Sequence, residues 1–194
     1  MIKNPSGAIT RRHFATTAAA FSIAAPSILR AQEEDPAPGT VVIRTTNYTI
    51  RDWQSHFRNL QNGAILVDTK GRVLHYWPEG GALHYIYPVS VPLTPDLTRL
   101  GRTSVVHKRL GPDWRPTPSM LARNPDLPNY IAPGPDNPLG THALYLSWQY
   151  YRIHGTNDTR KIGRQSSNGC IGLYNDDISE LFELAKVGTQ VLLI

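Results

Sequence analysis

Short apolar runs separated by turn residues set the pattern of this chain. The clearest case is a hairpin pattern, with an apolar run at 64–68, turn residues at 69–71 and an alternating run at 72–77. Further runs rich in β-branched and aromatic residues predict strands at 41–50, 83–90, 103–110, 143–149, 151–154 and 190–194. The chain is therefore predicted to be mainly β.

Two segments have a helical pattern instead. Residues 51–62 are polar, and Trp53 and Phe57, four positions apart, predict one or two helical turns. A longer helix is predicted from Asn175, which we expect to be its N-cap, and Gly188 follows its end. The apolar face of this helix consists of Ile178, Leu181, Phe182 and Ala185.

A proline-rich segment separates two groups of predicted strands. Residues 111–140 contain eight of the sixteen prolines of the chain and show no periodicity. A stretch of that length inside a small domain is typically a functional loop or a lid. We therefore expect it to cover a cleft and to contribute to substrate selection.

Length and composition narrow the fold class. The 194 residues suit one compact domain with a short appendage. The chain has one cysteine, which excludes an intramolecular disulfide and a cysteine-based zinc cluster. We expect a β-sandwich or barrel with one helix in the C-terminal region and a long Pro-rich loop.

The positive charge of the chain does not indicate nucleic-acid binding. The formal net charge is +5, but residues 1–31 hold four basic residues and no acidic one. The remainder has 16 basic and 15 acidic residues, without a basic stripe interleaved with aromatic residues. No nucleic-acid partner is therefore expected.

Residues 1–31 have the pattern of an export signal. Paired arginines at positions 11 and 12 precede an Ala-rich apolar stretch at 14–29, and an acidic, Pro-rich run follows at 33–36. The paired arginines resemble the twin-arginine signal of bacteria. The apolar stretch of about 16 residues, interrupted by Pro26, is short for a membrane span. We expect export to the periplasm and, once the signal is removed, a soluble protein without stable membrane insertion.

Cys170 is the first candidate for chemistry. A lone cysteine is often a small buried apolar residue. Here polar residues and Gly169 lead directly into it, which puts the sulfur at a loop-to-strand junction. A glycine before a nucleophile lets backbone N–H groups converge on a developing oxyanion. Cys170 is therefore a candidate nucleophile.

A nucleophilic cysteine needs a nearby imidazole or positive dipole to lower the pKa of its thiol. His154 is the best candidate of the seven histidines, because it ends a predicted strand and opens into Gly155-Thr156. His142, just after the Pro-rich segment, is a lesser candidate for lining the cleft. The residues alone favour a Cys/His nucleophilic site.

These residues resemble the signature of a known family. The YkuD-type L,D-transpeptidases carry H-G-T, then I-G, then S-H-G-C-[IV]-R. The similar positions here are His154-Gly155-Thr156, Ile162-Gly163 and Ser167-Asn168-Gly169-Cys170-Ile171. The resemblance extends over residues 62–194, which we expect to be the catalytic domain, with 32–61 as a linker and N-terminal extension.

The resemblance implies a mechanism. Cys170 would attack the bond after the third residue of a peptidoglycan stem tetrapeptide, releasing the terminal D-Ala and forming a thioester. An amine of another stem would then resolve the acyl-enzyme. His154 would activate Cys170 and protonate the leaving amine, while the Gly155 carbonyl accepts the other ring N–H. The N–H of Cys170 and a neighbouring one near Gly169 would form the oxyanion hole.

Two positions depart from the family pattern. Asn168 stands where the family has histidine, and it can still donate and accept hydrogen bonds. Gly172 stands where the family has arginine, two residues after the nucleophile and therefore on the same strand face. We expect this glycine to open space and to remove a carboxylate contact, unless a basic residue in the preceding loop compensates: Arg160, Lys161 or Arg164.

The sequence favours an enzyme of cell-wall biogenesis but leaves its acceptor open. We expect a monomeric L,D-transpeptidase that cross-links peptidoglycan stem peptides without a metal or organic cofactor. An L,D-carboxypeptidase, an endopeptidase or an enzyme that attaches or detaches envelope proteins would use the same site. A non-catalytic peptidoglycan-binding protein is an alternative of another class. Substrate contacts are expected from Arg164, Ser167, Asn168 and Gly169.

Overall fold

The computed structural model describes residues 40–45 and 48–194. The predicted export signal at 1–31, the first part of the predicted linker and residues 46 and 47 lie outside the described residues. Everything that follows concerns the described residues.

The described part of the chain forms two β-sheets. The larger has nine strands in the order β1-β4-β3-β2-β11-β6-β7-β8-β10, and β5 pairs with β9 in the smaller. The bounds are β1 (Thr40–Ile43), β2 (Ala64–Asp68), β3 (Val73–Trp77), β4 (Leu83–Pro88), β5 (Val91–Pro92), β6 (Gly101–Leu110), β7 (His142–Leu146), β8 (Arg152–His154), β9 (Gln165–Ser167), β10 (Ile171–Gly172) and β11 (Gln190–Leu193). The predicted mainly β fold is confirmed.

Two α-helices accompany the sheets in the described residues. They are α1 (Pro118–Arg123), inside the Pro-rich segment, and α2 (Asn175–Leu184), the helix predicted in the C-terminal region. Short 3₁₀ turns occur at Pro95–Leu97 and Thr159–Lys161. No helix within 40–45 and 48–194 is long and apolar enough to cross a membrane.

The predicted hairpin is formed by β2 and β3, which pair antiparallel from Ala64 opposite Trp77 to Asp68 opposite Val73. Every residue of both strands is buried, because the hairpin is covered on two sides. The main core lies on one side and a smaller cluster with Phe57 on the other. The polar segment before β2 contains a single helical turn, in which the Phe57 N–H donates to the Trp53 carbonyl at 2.8 Å.

Helix α2 buries Ile178 and Leu181 in the main core, as its apolar periodicity predicts. The predicted N-cap is wrong, because the helix begins at Asn175. Its N-cap is Tyr174, whose side chain makes no capping hydrogen bond. The Asn175 side chain contacts the loop after β8 instead.

Other elements are shorter or more numerous than predicted. Strand β1 ends at Ile43, so the predicted strand over 41–50 is too long. The predicted loop between His154 and Gly169 contains a 3₁₀ turn and β9, which pairs with β5 in parallel. Strand β9 consists of polar residues, so no apolar alternation indicated it.

The end of the large sheet positions the candidate site. Strand β8 pairs antiparallel with β7 and parallel with β10. In the second pairing, Ile153 lies beside Ile171 and His154 beside Gly172. The two isoleucines are buried in the main core, so the two strands are held together by a common apolar anchor.

The Pro-rich segment is internally bonded. The backbones of Trp114 and Ile131 exchange two hydrogen bonds of 2.9 Å each. The side chain of Asn137, which is fully buried, donates to three carbonyls at 2.9–3.2 Å and accepts from the Leu139 N–H at 2.8 Å. One amide side chain thus holds two distant parts of the segment together.

We expect Asn137→Ala to loosen this segment. The substitution leaves three carbonyls and one N–H without the amide partner, which costs about 2–3 kcal/mol of unfolding free energy. Urea unfolding measures that loss, and hydrogen exchange should show faster exchange within 111–140. Asn157→Ala is the control, because its exposed amide donates one hydrogen bond, to the Asp136 carbonyl. Unchanged exchange in 111–140 would contradict the proposed role of Asn137.

Candidate active site

A cavity of about 740 Å³ lies between the β8–β10 end of the sheet and the Pro-rich segment. Cys170 and His154 line one wall, together with the loop residues Ser167, Asn168 and Gly169. The Pro-rich segment contributes the opposite part of the lining with Trp114, Met120, Arg123, Leu127, Ile131 and Leu139. The Pro-rich segment predicted to cover the cleft thus lines this cavity, and its contribution to substrate selection stays a prediction.

His154 is buried and its ring orientation is fixed. Its Nδ1 lies 2.5 Å from the Gly155 carbonyl oxygen. Because a carbonyl oxygen only accepts hydrogen bonds, Nδ1 carries the proton of the neutral ring and Nε2 is left as an acceptor. Burial lowers the pKa of His154 to about 4, although the Gly155 contact opposes that shift. The ring is therefore neutral at physiological pH and able to take up a proton.

Asn175 holds the backbone that follows His154. Its Oδ1 accepts from the Thr156 N–H at 3.2 Å and its Nδ2 donates to the Thr156 carbonyl at 3.0 Å. A Cβ at position 155 would lie 2.2 Å from this Oδ1, so only glycine fits between the strand and the amide. The glycine after His154 thus permits the close approach of helix α2 that fixes the loop.

Cys170 is half-buried and lines the cavity. Its S–H donates to the Tyr150 carbonyl at 3.4 Å. Burial raises the pKa of the thiol, and the nearby Arg152 opposes this rise. Tyr150 has φ of 66°, an uncommon conformation for a bulky residue, and its carbonyl also accepts from Arg152 Nη1 at 3.4 Å. The resting nucleophile is therefore a protonated thiol.

Strand register places the candidate residues on one face of the sheet. His154 lies beside Gly172, and continuing the register back by two residues places Arg152 beside Cys170. Side chains of neighbouring strands point the same way at paired positions and alternate along each strand. Cys170, His154 and Arg152 therefore share the face that borders the cavity.

The loop before Cys170 is held by short local contacts. The Ser167 hydroxyl donates to the Cys170 carbonyl at 2.5 Å and accepts from the Gly169 N–H at 3.4 Å. Asn168 lies farther out, and its Oδ1 accepts from Arg123 Nη2 of α1 at 3.2 Å. The position where the family has histidine thus links the loop to the Pro-rich segment.

The basic residues expected near Gly172 lie in different places. Lys161 lines the cavity, whereas the Arg164 side chain is exposed and outside the lining. Arg160 is paired with Asp158 at 2.7 Å and is exposed. His142 packs against the Phe182 ring, with 4.8 Å between ring centroids, and is not among the lining residues.

Gly172 does not open the cleft, so the expectation that it leaves space is wrong. A Cβ at this position would lie 2.5 Å from the Ser90 hydroxyl and 3.9 Å from Cε1 of His154. Ser90 is buried and its backbone forms a bridge with Gly172. The volume that a side chain at 172 would enter is therefore occupied by Ser90.

We expect Gly172→Ala to destabilise the protein by about 1–3 kcal/mol, because it overpacks a buried contact. Ser90→Ala in the same chain should recover most of that loss, since the Ser90 Cβ lies 3.8 Å from the added methyl position. Urea unfolding of the wild type, both single variants and the double variant measures the coupling. Equal stability of Gly172→Ala and the wild type would contradict this packing.

Sequence patterns did not single out three residues of this site: Ser90, Tyr150 and Arg152. Ser90 reaches Gly172 from a distant part of the chain, and the strained turn at Tyr150 has no turn-forming dipeptide. Arg152 falls inside a short strand, two residues before His154. That spacing is the one signal in the sequence that could have placed Arg152 on the same strand face as His154. Across residues 40–45 and 48–194, no group of three or more His, Cys, Asp or Glu side chains is arranged to hold a metal ion.

The sequence is similar to known L,D-transpeptidases. The family described as YkuD, L,D-transpeptidase catalytic domain, matches residues 62–193. The putative L,D-transpeptidase in the ATP synthase subunits region of Fuscovulum blasticum is 52% identical over 178 residues, which are 92% of each chain. The probable L,D-transpeptidase YbiS of Escherichia coli is 38% identical over 135 residues, which cover 67% of this chain and 44% of YbiS.

Solved structures share the fold. L,D-transpeptidase 3 from Mycobacterium tuberculosis has a TM-score of 0.54 at 13% identity. The matched region covers 69% of this chain and 61% of the Mycobacterium tuberculosis chain. An L,D-transpeptidase from Mycobacterium smegmatis has a TM-score of 0.51 at 19% identity, with coverages of 69% and 58%. The chain spans less than two thirds of these proteins and of YbiS. The match over residues 62–193 shows that the chain is an enzyme and belongs to the YkuD family of L,D-transpeptidases.

Proposed function

We propose that this enzyme cross-links peptidoglycan through a thioester on Cys170. The donor would be a stem tetrapeptide, cleaved after its third residue with release of the terminal D-Ala. The acceptor would be an amine of a second stem. Membership of the family implies peptidoglycan cross-linking in general, and the geometry of Cys170 and His154 supports this route.

The orientation of His154 is the observation that carries the proposal. Its Nδ1–H is committed to the Gly155 carbonyl, so Nε2 is the atom available to a substrate or nucleophile. The ring lies on the strand beside β10, on the face that it shares with Cys170. A neutral imidazole with a fixed tautomer, on the same strand face as a thiol that lines the same cavity, supports general-base activation of that thiol.

The first step forms the acyl-enzyme. The Cys170 S–H bond breaks as the proton passes to Nε2 of His154, and the sulfur attacks the donor carbonyl. The backbone N–H groups near Gly169 and Cys170 would stabilise the oxyanion, which is most effective in a desolvated site. The protonated Nε2 then donates to the leaving D-Ala amine, and a thioester remains on the sulfur.

The second step transfers the acyl group. An amine in the cavity attacks the thioester carbonyl while Nε2 of His154 takes the amine proton. The proton then returns to the Cys170 sulfur as the thioester bond breaks. The wall formed by the Pro-rich segment gives this site a boundary that can select the acceptor and limit the access of water.

The proposed site of action rests on the sequence pattern of residues 1–31. We propose that residues 1–31 direct export to the periplasm by the twin-arginine route, where stem peptides are available, and that the protein acts there as a monomer. Ser167, Asn168 and Gly169, which line the cavity, are the substrate contacts supported by their position. Arg164 is exposed and outside the lining, so a substrate contact there needs a movement of its side chain.

We expect Cys170→Ala to abolish covalent labelling by a carbapenem and by a stem tetrapeptide, because no other thiol exists in the chain. His154→Gln should reduce labelling by about 10²–10⁴-fold through loss of the general base. Intact-protein mass spectrometry measures the adduct, and chromatography of the products separates cross-linked dimer from hydrolysed tripeptide.

His142→Gln is the matched control for His154→Gln and should label at the wild-type rate, since its ring does not line the cavity. A wild-type protein that forms no adduct with either reagent would overturn the proposed function. Tripeptide as the main product in the presence of acceptor stems would replace the transpeptidase with an L,D-carboxypeptidase.

We expect the acid limb of the acylation rate to lie near pH 4 and not near 6.5. The base must be neutral to accept a proton, and burial lowers the pKa of His154 to about 4. Activity should therefore persist between pH 5 and 6, where an ordinary histidine with a pKa of about 6.5 is mostly protonated, and fall as the pH approaches 4.

Stopped-flow absorbance measures the rate of carbapenem acylation at each pH. This rate reports the acylation step alone and does not depend on transfer of the acyl group. Circular dichroism at each pH separates loss of activity from acid unfolding. An acid limb near pH 6.5 in a folded protein would show that the base is not the buried, neutral His154 described here.

A further inference from the structure

Arg152 is the charged side chain nearest to the nucleophile in strand register, and neither the mechanism above nor the family signature uses it. It lies on β8, two residues before His154, and lines the cavity. Continuing the β8–β10 register places it beside Cys170. The Arg152 and Cys170 side chains therefore leave neighbouring strands on the same face.

The guanidinium of Arg152 is held in place by its surroundings. Its Cζ lies 5.0 Å from the centroid of the Tyr145 ring, which faces it from β7. Its Nη1 donates to the Tyr150 carbonyl, the same oxygen that accepts from the Cys170 thiol. The cation and the nucleophile are thus attached to one backbone group.

One donor of this guanidinium is unsatisfied. Arg152 Nε is buried, and no described residue accepts a hydrogen bond from it. Buried donors are nearly always paired, so an orphan beside a reacting atom calls for an explanation. A thiol is a weak acceptor, whereas a thiolate is a strong one. Ionisation of Cys170 would supply the acceptor that this N–H lacks.

We propose that Arg152 is the cationic partner of the Cys170 thiolate and stabilises it during attack. When the Cys170 proton passes to Nε2 of His154, the thiol loses its hydrogen bond to the Tyr150 carbonyl. The sulfur, now anionic, accepts from the guanidinium on the adjacent strand. The inference rests on Cys170 being the nucleophile of the proposed function.

Other charged and titratable groups near the thiol do not have this position. Tyr151 precedes Arg152 and is neutral, because burial and Cys170 raise the pKa of its hydroxyl. His154 is neutral in the resting site. Across the cavity, Arg123 contacts Asn168, and Lys161 lines the wall without a register position beside Cys170. Arg152 is the residue that lowers the pKa of the Cys170 thiol against the effect of burial, through its charge and through hydrogen bonds from its backbone and its side chain.

The test measures the pKa of Cys170 by the pH dependence of iodoacetamide alkylation in the full chain, where it is the one thiol. Arg152→Gln should raise the thiol pKa by about one unit, which leaves about tenfold less thiolate at neutral pH and slows alkylation equally. Carbapenem acylation should slow by a similar factor. Arg152→Lys keeps the charge but loses the planar fork, so we expect a smaller loss of about threefold.

Arg160→Gln is the control, because it removes the same charge from an exposed arginine that is already paired with Asp158. It should leave the thiol pKa unchanged. An unchanged thiol pKa in Arg152→Gln, or an equal shift in Arg160→Gln, overturns the inference. So does a rise in KM for tetrapeptide with an unaltered thiol pKa, which would make Arg152 a contact for a substrate carboxylate.

The two proposals fail in distinguishable ways. A wild-type protein that is not acylated at Cys170 overturns the proposed function, whatever the alkylation profiles. If the wild-type protein is acylated but Arg152→Gln leaves the thiol pKa unchanged, the inference alone is overturned. If Arg152→Gln does not fold, Arg152→Lys is measured in its place. An alkylation profile of Arg152→Lys identical to that of the wild type then overturns the proposed hydrogen bond from the guanidinium to the thiolate.

Discussion

The parallel pairing of β8 with β10 is the constraint on which the site depends. These strands have three and two residues, too few to be stable by their own hydrogen bonds, and the buried Ile153 and Ile171 fix them to the main core. Because strand side chains alternate, burying these two isoleucines on one face turns Arg152, His154 and Cys170 to the other. A slip of one residue would bury the catalytic face and expose the anchor. Packing of the core therefore sets the chemistry of the opposite face.

Burial disfavours the charged forms of His154 and Cys170, and neighbouring groups partly offset this effect. Desolvation raises the pKa of Cys170 and lowers that of His154, so both shifts oppose formation of a thiolate–imidazolium pair. The Cys170 thiol and the His154 imidazole are consequently both neutral at rest, and charge develops on them only as the sulfur attacks. The hydrogen bond to the Gly155 carbonyl favours the charged ring, and Arg152 favours the charged sulfur. Preorganised partners of this kind need no reorganisation when charge appears, which makes a desolvated site productive.

The sequence predicted the local part of this structure and missed what depends on distant contacts. The hairpin of β2 and β3, helix α2 and the Pro-rich wall follow from periodicity and turn residues near one another in the chain. The contact between Ser90 and Gly172 joins residues 82 positions apart. No local sequence pattern therefore predicts that Ser90 occupies the space beside Gly172. Asn175 illustrates the same limit. Local preference favours an N-cap, but the amide is used by Thr156 and Thr141, which α2 reaches only in the folded chain.

The two departures from the family motif are each matched by a neighbour, which argues against a decayed site. At position 172, the Ser90 side chain occupies the space that a side chain would take, so the packing beside His154 is tight. At position 168, the amide accepts a hydrogen bond from Arg123, which joins the loop before the nucleophile to α1 of the Pro-rich wall. His154 is buried, Cys170 is half-buried, and Tyr150, between β7 and β8 in the chain, has a backbone conformation that is uncommon for a bulky residue. Backbone strain clusters at functional sites, and here it lies beside two departures that the surrounding residues accommodate.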